Sequence, residues 1–287
     1  MKTITITPND KINDTLEING LNNITLLLTG GLYFQKVKIK GHNVILKPAT
    51  NDEVVICYDD YNYKIHEDGL LYNTFRTHTL VITGSNVTLE NLVIQNSAGR
   101  GKLIGQAVAL SVYGDNNTFN NCRIIGHQDT IFLGPLPLDL IERYAHILPF
   151  DERTNHVGTH KFSSCEITGD VDFIFGSGNA LFNNCNIIAT NKGYIAAPSH
   201  YDENQIGFVF YECNVVNISD EPITLARPWR EHGRATFINC NIKGLIGSRY
   251  TTWDKTNFYF SEYPYVEDDL SRPISKTTLN QIIKLFE

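Results

Sequence analysis

Five times between residues 119 and 242 the chain repeats one phrase: phenylalanine, cysteine three positions on, and an aliphatic residue two beyond that. The copies are Phe119-Asn-Asn-Cys122-Arg-Ile124, Phe162-Ser-Ser-Cys165-Glu-Ile167, Phe182-Asn-Asn-Cys185-Asn-Ile187, Phe210-Tyr-Glu-Cys213-Asn-Val215 and Phe237-Ile-Asn-Cys240-Asn-Ile242. An earlier stretch, Val87-Thr-Leu89-Glu-Asn-Leu92-Val-Ile94, reads as a copy with leucine at both marked positions. The phenylalanines lie 43, 20, 28 and 27 residues apart. Such periods mark stacked repeats. Each copy alternates with a period of two and is broken by Asn or Gly. The paired amphipathic helices of a helical repeat are missing. A parallel β-helix fits: each repeat is one turn of short strands, and equivalent residues stack into ladders.

In that arrangement the cysteines form a column of small buried side chains. No Cys-x-x-Cys pair is present, which argues against zinc, and the repeat context argues against disulfides. The abundant Asn, often paired as in Asn22-Asn23, Asn116-Asn117, Asn120-Asn121 and Asn183-Asn184, suits many tight turns. With 42% hydrophobic and 19% charged residues, the chain is neither disordered nor membrane-spanning. A net charge of −7 sets nucleic-acid binding aside. The first residues, MKTITITPND, contain no apolar targeting segment. Together with reduced cysteines this gives an expectation of a cytoplasmic protein, or an extracellular or periplasmic one if a leader has been removed.

One spacing departs from the rest. The 43-residue gap is one turn plus a surplus, placed at 134–160, with a short helix expected over Leu138 to Ile147. Insertions in solenoids become loops on one face, often the binding face. Lys36, Lys38 and Lys40 alternate along one strand, as on a solvated exterior. The stretch from Thr277, TTLNQIIKLFE, reads as an amphipathic helix packed on or capping the barrel. All 287 residues are expected to form a single domain.

Asp129 lies seven residues after Cys122, and Asp172 seven after Cys165. If those cysteines stack, the two carboxyls occupy one phase of consecutive turns, about 4.8 Å apart. Two carboxyls that close resist double ionisation, which splits an acid role from a nucleophile or base role. The same offset on later turns gives Lys192, Asp220 and Gly247, so it does not by itself prove a shared face. A Gly-x-Ser-x-Gly elbow, an HExxH pair and a P-loop are all absent from the sequence.

Several motifs, in order along nearly the whole chain, resemble those of the pectin methylesterases (pectinesterases). They are Gly31-Leu-Tyr33-Phe-Gln-Lys-Val37, Gly105-Gln106-Ala-Val-Ala-Leu110, Gly126-His-Gln128-Asp129-Thr130, Gly169-Asp-Val-Asp172-Phe-Ile-Phe-Gly176, Leu225-Ala-Arg227-Pro-Trp229 and Phe258-Tyr-Phe-Ser-Glu262-Tyr263. The resemblance implies a right-handed parallel β-helix that removes methyl esters from galacturonate units of pectin, acting as a monomer without metal or cofactor. It implies that Asp172 is the nucleophile and Asp129 the acid and then base. Gln106 and Gln128 would line the anion hole, and Arg227 would hold Asp172 ionised. Trp229, Phe175 and Trp253 would contact sugars, and Thr74 the substrate. Departures from the family pattern are the long gap between Asp129 and Asp172, Tyr250 in place of a frequent tryptophan, and YPYVEDD after Tyr263 in place of a Gly-rich stretch. The alternatives are another carbohydrate-active β-helix enzyme, a lyase or hydrolase, or an inactive carbohydrate-binding β-helix.

Overall fold

The structure, a computed structural model, describes residues 1–285. Its strands form three parallel sheets of 11, eight and seven strands, and the chain visits them in a repeating order. One turn runs through Asn117–Asn120 in the first sheet, Arg123–Ile125 in the second and Ile131–Leu133 in the third. The next runs through Thr159–Ser163, Glu166–Gly169 and Ile174–Gly176. The result is a right-handed parallel β-helix.

The repeated phrase stacks in register. Leu89, Phe119, Phe162, Phe182, Phe210 and Phe237 pair one above another. Successive phenylalanine rings lie parallel, with centroids 4.3 to 4.8 Å apart. Each ring is fully buried, which stabilises the fold by about 1.5–3 kcal/mol per side chain. All six cysteines are free thiols. The five in the repeat do more than fill space: each thiol donates to the carbonyl one turn back. Cys122 bonds Leu89, Cys165 bonds Phe119, Cys185 bonds Phe162, Cys213 bonds Phe182 and Cys240 bonds Phe210, at 3.1 to 3.4 Å.

The Asn-rich corners have a conformational cause. The residue before each marked position turns left-handed: Asn91, Asn121, Ser164, Asn184, Glu212 and Asn239 all have φ between 51° and 53°. Asn tolerates that region better than other residues with a side chain, because its short polar group bonds locally. A second corner repeats the device at Asn23, Asn43, Asn86 and Asn116.

The barrel is closed at its N-terminal end by the helix Ile12–Asn19, which contributes Ile12 and Leu16 to the interior. Gln35 fastens it, accepting from the Ile12 N–H and donating to the Asp10 carbonyl. The C-terminal helix, Lys276–Lys284, is capped by Ser275. It lies along the side of the barrel rather than over its end: Leu279, Ile282 and Ile283 pack on Leu181, Val209 and Ile238 of the first sheet. The expected helix extends to residues 286–287, which lie outside the described residues.

Two expectations need correction. The helix in the surplus segment spans Leu138–Arg143 and does not reach Ile147. Beyond it the chain tightens into turns, with the Ile147 and Leu148 N–H groups both directed to the Tyr144 carbonyl, and these bury Leu148. Lys36 and Lys38 are not a solvated row. Lys36 pairs with the fully buried Asp60, and Lys38 pairs with Asp151 and Glu152 of the surplus segment, each at 2.8 Å.

Candidate functional site

The third sheet carries the chemistry. Ile131 pairs with Ile174, so Asp129 and Asp172, each two residues earlier, occupy equivalent places on consecutive turns. Both have left-handed backbone, φ 65° and 49°, at the corner leading into their strands. The Asp129 N–H bonds the Val171 carbonyl at 3.0 Å, which locks the two corners together. The glycine four residues after which an aromatic or threonine follows is required here. A Cβ on Gly169 would overlap Phe173, and one on Gly126 would overlap Thr130. Each corner therefore folds back on its own next strand.

Arg227 follows the strand Ile223–Ala226 on a later turn. Its guanidinium meets Asp172 fork to fork, Nε to Oδ1 at 2.8 Å and Nη2 to Oδ2 at 2.5 Å. Its two faces lie on aromatic rings, Tyr194 at 3.8 Å and Trp253 at 3.7 Å from the ring centroids. Tyr194 stands two residues before Ala196, which pairs with Ile174, so Tyr194 occupies the place that Asp172 holds one turn earlier. The fixed offset from cysteine pointed to Lys192 instead. The reason is a corner two residues longer on that turn.

Around this group lies a cavity of about 220 Å³, lined by Thr74, Phe75, Gln106, Gln128, Asp129, Asp172, Phe175, Ala197, Arg227, Trp229 and Trp253. Every residue the sequence singled out reaches it. Phe175 points outward from the sheet and packs edge-on against Trp229, with ring centroids 5.7 Å apart. Trp253 lines the cavity, but one of its faces is taken by Arg227, and the side chain is 38% exposed. Gln106 and Gln128 sit on neighbouring segments tied by the Ala107 N–H to the Gln128 carbonyl. Thr74 opens the short helix Thr74–Arg76 and is 8% exposed. Asn62, Tyr194 and Ala197 were not singled out by the sequence, since none belongs to a phrase that repeats or to a recognisable motif, and Phe75 was passed over beside Thr74.

Asp129 and Asp172 are 8% and 7% exposed. Burial pushes the Asp129 carboxyl well above the usual carboxylate range, the Asp172 charge pushes it further, and Arg227 opposes both. Asp172 is also raised by burial, against the two hydrogen bonds and the charge of Arg227. Desolvation therefore outweighs the downward pull of the arginine on Asp172. The asymmetry survives, because Arg227 bonds Asp172 directly.

The surplus segment packs beside this cavity. Leu136, Leu140 and Leu148, with Ile141 and Tyr144, join Phe75, Phe132, Phe175 and Trp229 in one apolar cluster on the outer face of the third sheet. Asp139 bonds Arg230, the residue after Trp229, at 3.0 Å.

A family model described as Pectinesterase matches residues 7–134 and 151–278, leaving most of the helical part of the surplus segment outside it. Among curated relatives, Pectinesterase 31 of Arabidopsis thaliana is 30% identical over 244 residues, covering 81% of this chain and 69% of that protein. Pectinesterase QRT1 of Arabidopsis thaliana is 28% identical over 235 residues, covering 78% of this chain and 55% of that protein. The chain thus spans between about half and about two thirds of the length of these relatives. Among solved structures, pectin methylesterase from carrot superposes with a TM-score of 0.77 at 21% identity, covering 98% of this chain and 90% of that one. Pectin methylesterase from Yersinia enterocolitica gives 0.74 at 23% identity, covering 94% and 96%.

Proposed function

Because the chain belongs to the pectinesterase family, we propose that it hydrolyses the methyl esters of galacturonate units in pectin or pectic oligosaccharides, with Asp172 as nucleophile and Asp129 as acid and base. The observation that carries this reading is the bidentate Asp172–Arg227 pair set beside a second buried carboxyl, whose pKa burial and the Asp172 charge push well above the usual range. A solved pectin methylesterase with this fold has been described in complex with a hexasaccharide, which supports an oligosaccharide ligand.

The steps follow from the charges. Ionised Asp172 attacks the ester carbonyl carbon, and the carbonyl oxygen becomes an oxyanion. The amide N–H groups of Gln106 and Gln128 face that charge as neutral donors, which stabilise it without altering the proton count. As the intermediate collapses, Asp129 gives its proton to the departing methoxide and methanol leaves. The galacturonyl group is then held as an anhydride on Asp172. Asp129, now ionised, takes one proton from water as the water attacks the anhydride. The bond to Asp172 breaks and restores its carboxylate, and the galacturonic acid released gives water's second proton to solvent, leaving both aspartates in their starting states. Arg227 keeps Asp172 oriented and charged throughout. It spends no motion in doing so, because both faces of its guanidinium are clamped.

Methanol release from methylated pectin and from short methylated oligogalacturonides tests the reading, comparing the wild-type chain with Asp172→Asn. Release by the former and its loss in the latter is the expected result. A folded wild type that releases methanol from neither substrate overturns it.

A further inference from the structure

The Asn62 side chain makes contacts that no motif foretold. Its Nδ2 donates to Gln106 Oε1 at 2.6 Å and to Thr74 Oγ1 at 3.2 Å. Its backbone is held on both sides: the Asn62 N–H bonds the Gln106 carbonyl at 2.9 Å, and the Asn62 carbonyl accepts from Asn73 at 3.1 Å. Gln106 and Thr74 both line the cavity that holds Asp129 and Asp172.

We propose that Asn62 is a positioning residue that aims two hydrogen-bond donors into the cavity at once, the Gln106 amide N–H and the Thr74 hydroxyl. The inference rests on the esterase reading above and adds to it the group that makes the anion hole a hole for anions. An amide has two nearly isosteric ends, one donating and one accepting, and which end faces the cavity decides whether it attracts or repels an oxyanion. With its oxygen engaged by Asn62, Gln106 can present only its NH2 group to the cavity. With a lone pair engaged by the same Asn62 amide, the Thr74 hydroxyl is free to donate. The opposite arrangement, with all three groups reversed, would turn the Gln106 oxygen toward a cavity that already contains two carboxyl groups. The charge there selects the orientation seen, and Asn62 transmits it to both groups together.

Two substitutions separate orientation from scaffold. Asn62→Leu removes the restraint and leaves Gln106 free to rotate. Asn62→Asp keeps the shape but supplies acceptors where donors stood, so Gln106 and Thr74 turn their donors away from the cavity. On methylated oligogalacturonides Asn62→Leu is expected to lower kcat roughly 10-fold with KM within about twofold, and Asn62→Asp to lower kcat roughly 100-fold, the scale of losing an oxyanion donor. In a Gln106→Ala background, Asn62→Leu should add less than about threefold. A merely structural role predicts the reverse order, with the isosteric Asp the milder change, and an undiminished loss in the Gln106→Ala background; either result overturns the proposal. Side-chain amide exchange by NMR gives a reading independent of turnover. In the wild type the Asn62 Nδ2 protons should be protected and those of Gln106 should exchange freely, and Asn62→Asp should protect the Gln106 protons. An unprotected Asn62 amide overturns the proposal. Absence of methanol release by the wild type counts against the esterase reading alone, and the exchange pattern then decides the orientation.

Discussion

Asp172 and Arg227 are 55 residues apart in the chain and meet as a two-toothed fork, with Nε donating to Oδ1 and Nη2 to Oδ2. Planar bidentate pairing of this kind is available to arginine and not to lysine. Arg227 is also the group that holds back the upward push of burial on both carboxyls. Arg227→Lys is therefore expected to lower kcat about 100-fold and to move the acid limb of the kcat/KM pH profile to higher pH, because Asp172 then ionises later. An acid limb that stays in place or moves down contradicts the assignment. Trp253→Ala, which opens one side of the clamp, should give a smaller loss of about 10-fold.

Asp129→Asn should abolish turnover and yet stabilise the fold. The folded-state pKa of Asp129 lies above its unfolded value, so its contribution is favourable at pH below the unfolded value and is lost as pH rises through the folded one. The amide imitates the protonated acid at every pH. Thermal melts at pH 8 should rise by about 2–4 °C, while melts near pH 4 should show little gain. A lower Tm at pH 8 would mean that the ionised carboxylate is stabilised by its surroundings.

Buried histidines contribute to the acid tolerance, and burial also holds His78 well below the usual imidazole range. Burial holds His160 down to about 4 and His200 down to about 3, so both are neutral in the folded protein. Stability from these groups is fully present above about pH 6.5, the unfolded value, and falls away as pH drops through the folded values. The His200 ring is bonded, to the Gly178 carbonyl and from the Arg234 N–H. His160 is fully buried, and neither ring nitrogen has a hydrogen-bond partner among the described residues. His160→Leu should therefore remove roughly 3 kcal/mol of acid sensitivity between pH 6.5 and 4. Urea titrations across that range check it, and an unchanged pH slope would refute it.

Much of this is legible in the sequence. The Phe-x-x-Cys phrase foretold the ladders, because a strand period and a fixed turn place equivalent residues over one another. The phase of Asp129 and Asp172 was legible for the same reason. Tyr194 was not, since a two-residue change in one corner shifted the offset. Nor was Asn62, which reaches Gln106 across 44 residues through a loop with no repeat to count by. The pairing of Lys36 and Lys38 was hidden because their partners lie in loops. Parity along the strand placed them outward, and only the fold showed what covers them.

The surplus segment should govern substrate length. Its apolar residues buttress Phe75 and Phe175, which line the cavity, and Asp139 fastens it to Arg230 beside Trp229. Turnover is expected to be faster on short methylated oligogalacturonides than on long pectin, and faster turnover of the polymer would sink that expectation. Leu140→Ala should cost about 2–4 kcal/mol, as for other buried leucines, and should raise KM through the loosened Phe75 and Phe175.

Between residues 134 and 158 the chain leaves the barrel and returns without disturbing its ladders: Phe119 still stacks on Phe162, and Ile131 still pairs with Ile174. The separation of the two carboxyls is thus dictated by backbone hydrogen bonding between adjacent turns, and the length of chain joining them has no say in it. That makes the segment a natural graft point. Evolution or an engineer can exchange it wholesale, altering what approaches the cavity, while the spacing of the reacting groups stays fixed like marks on a ruler.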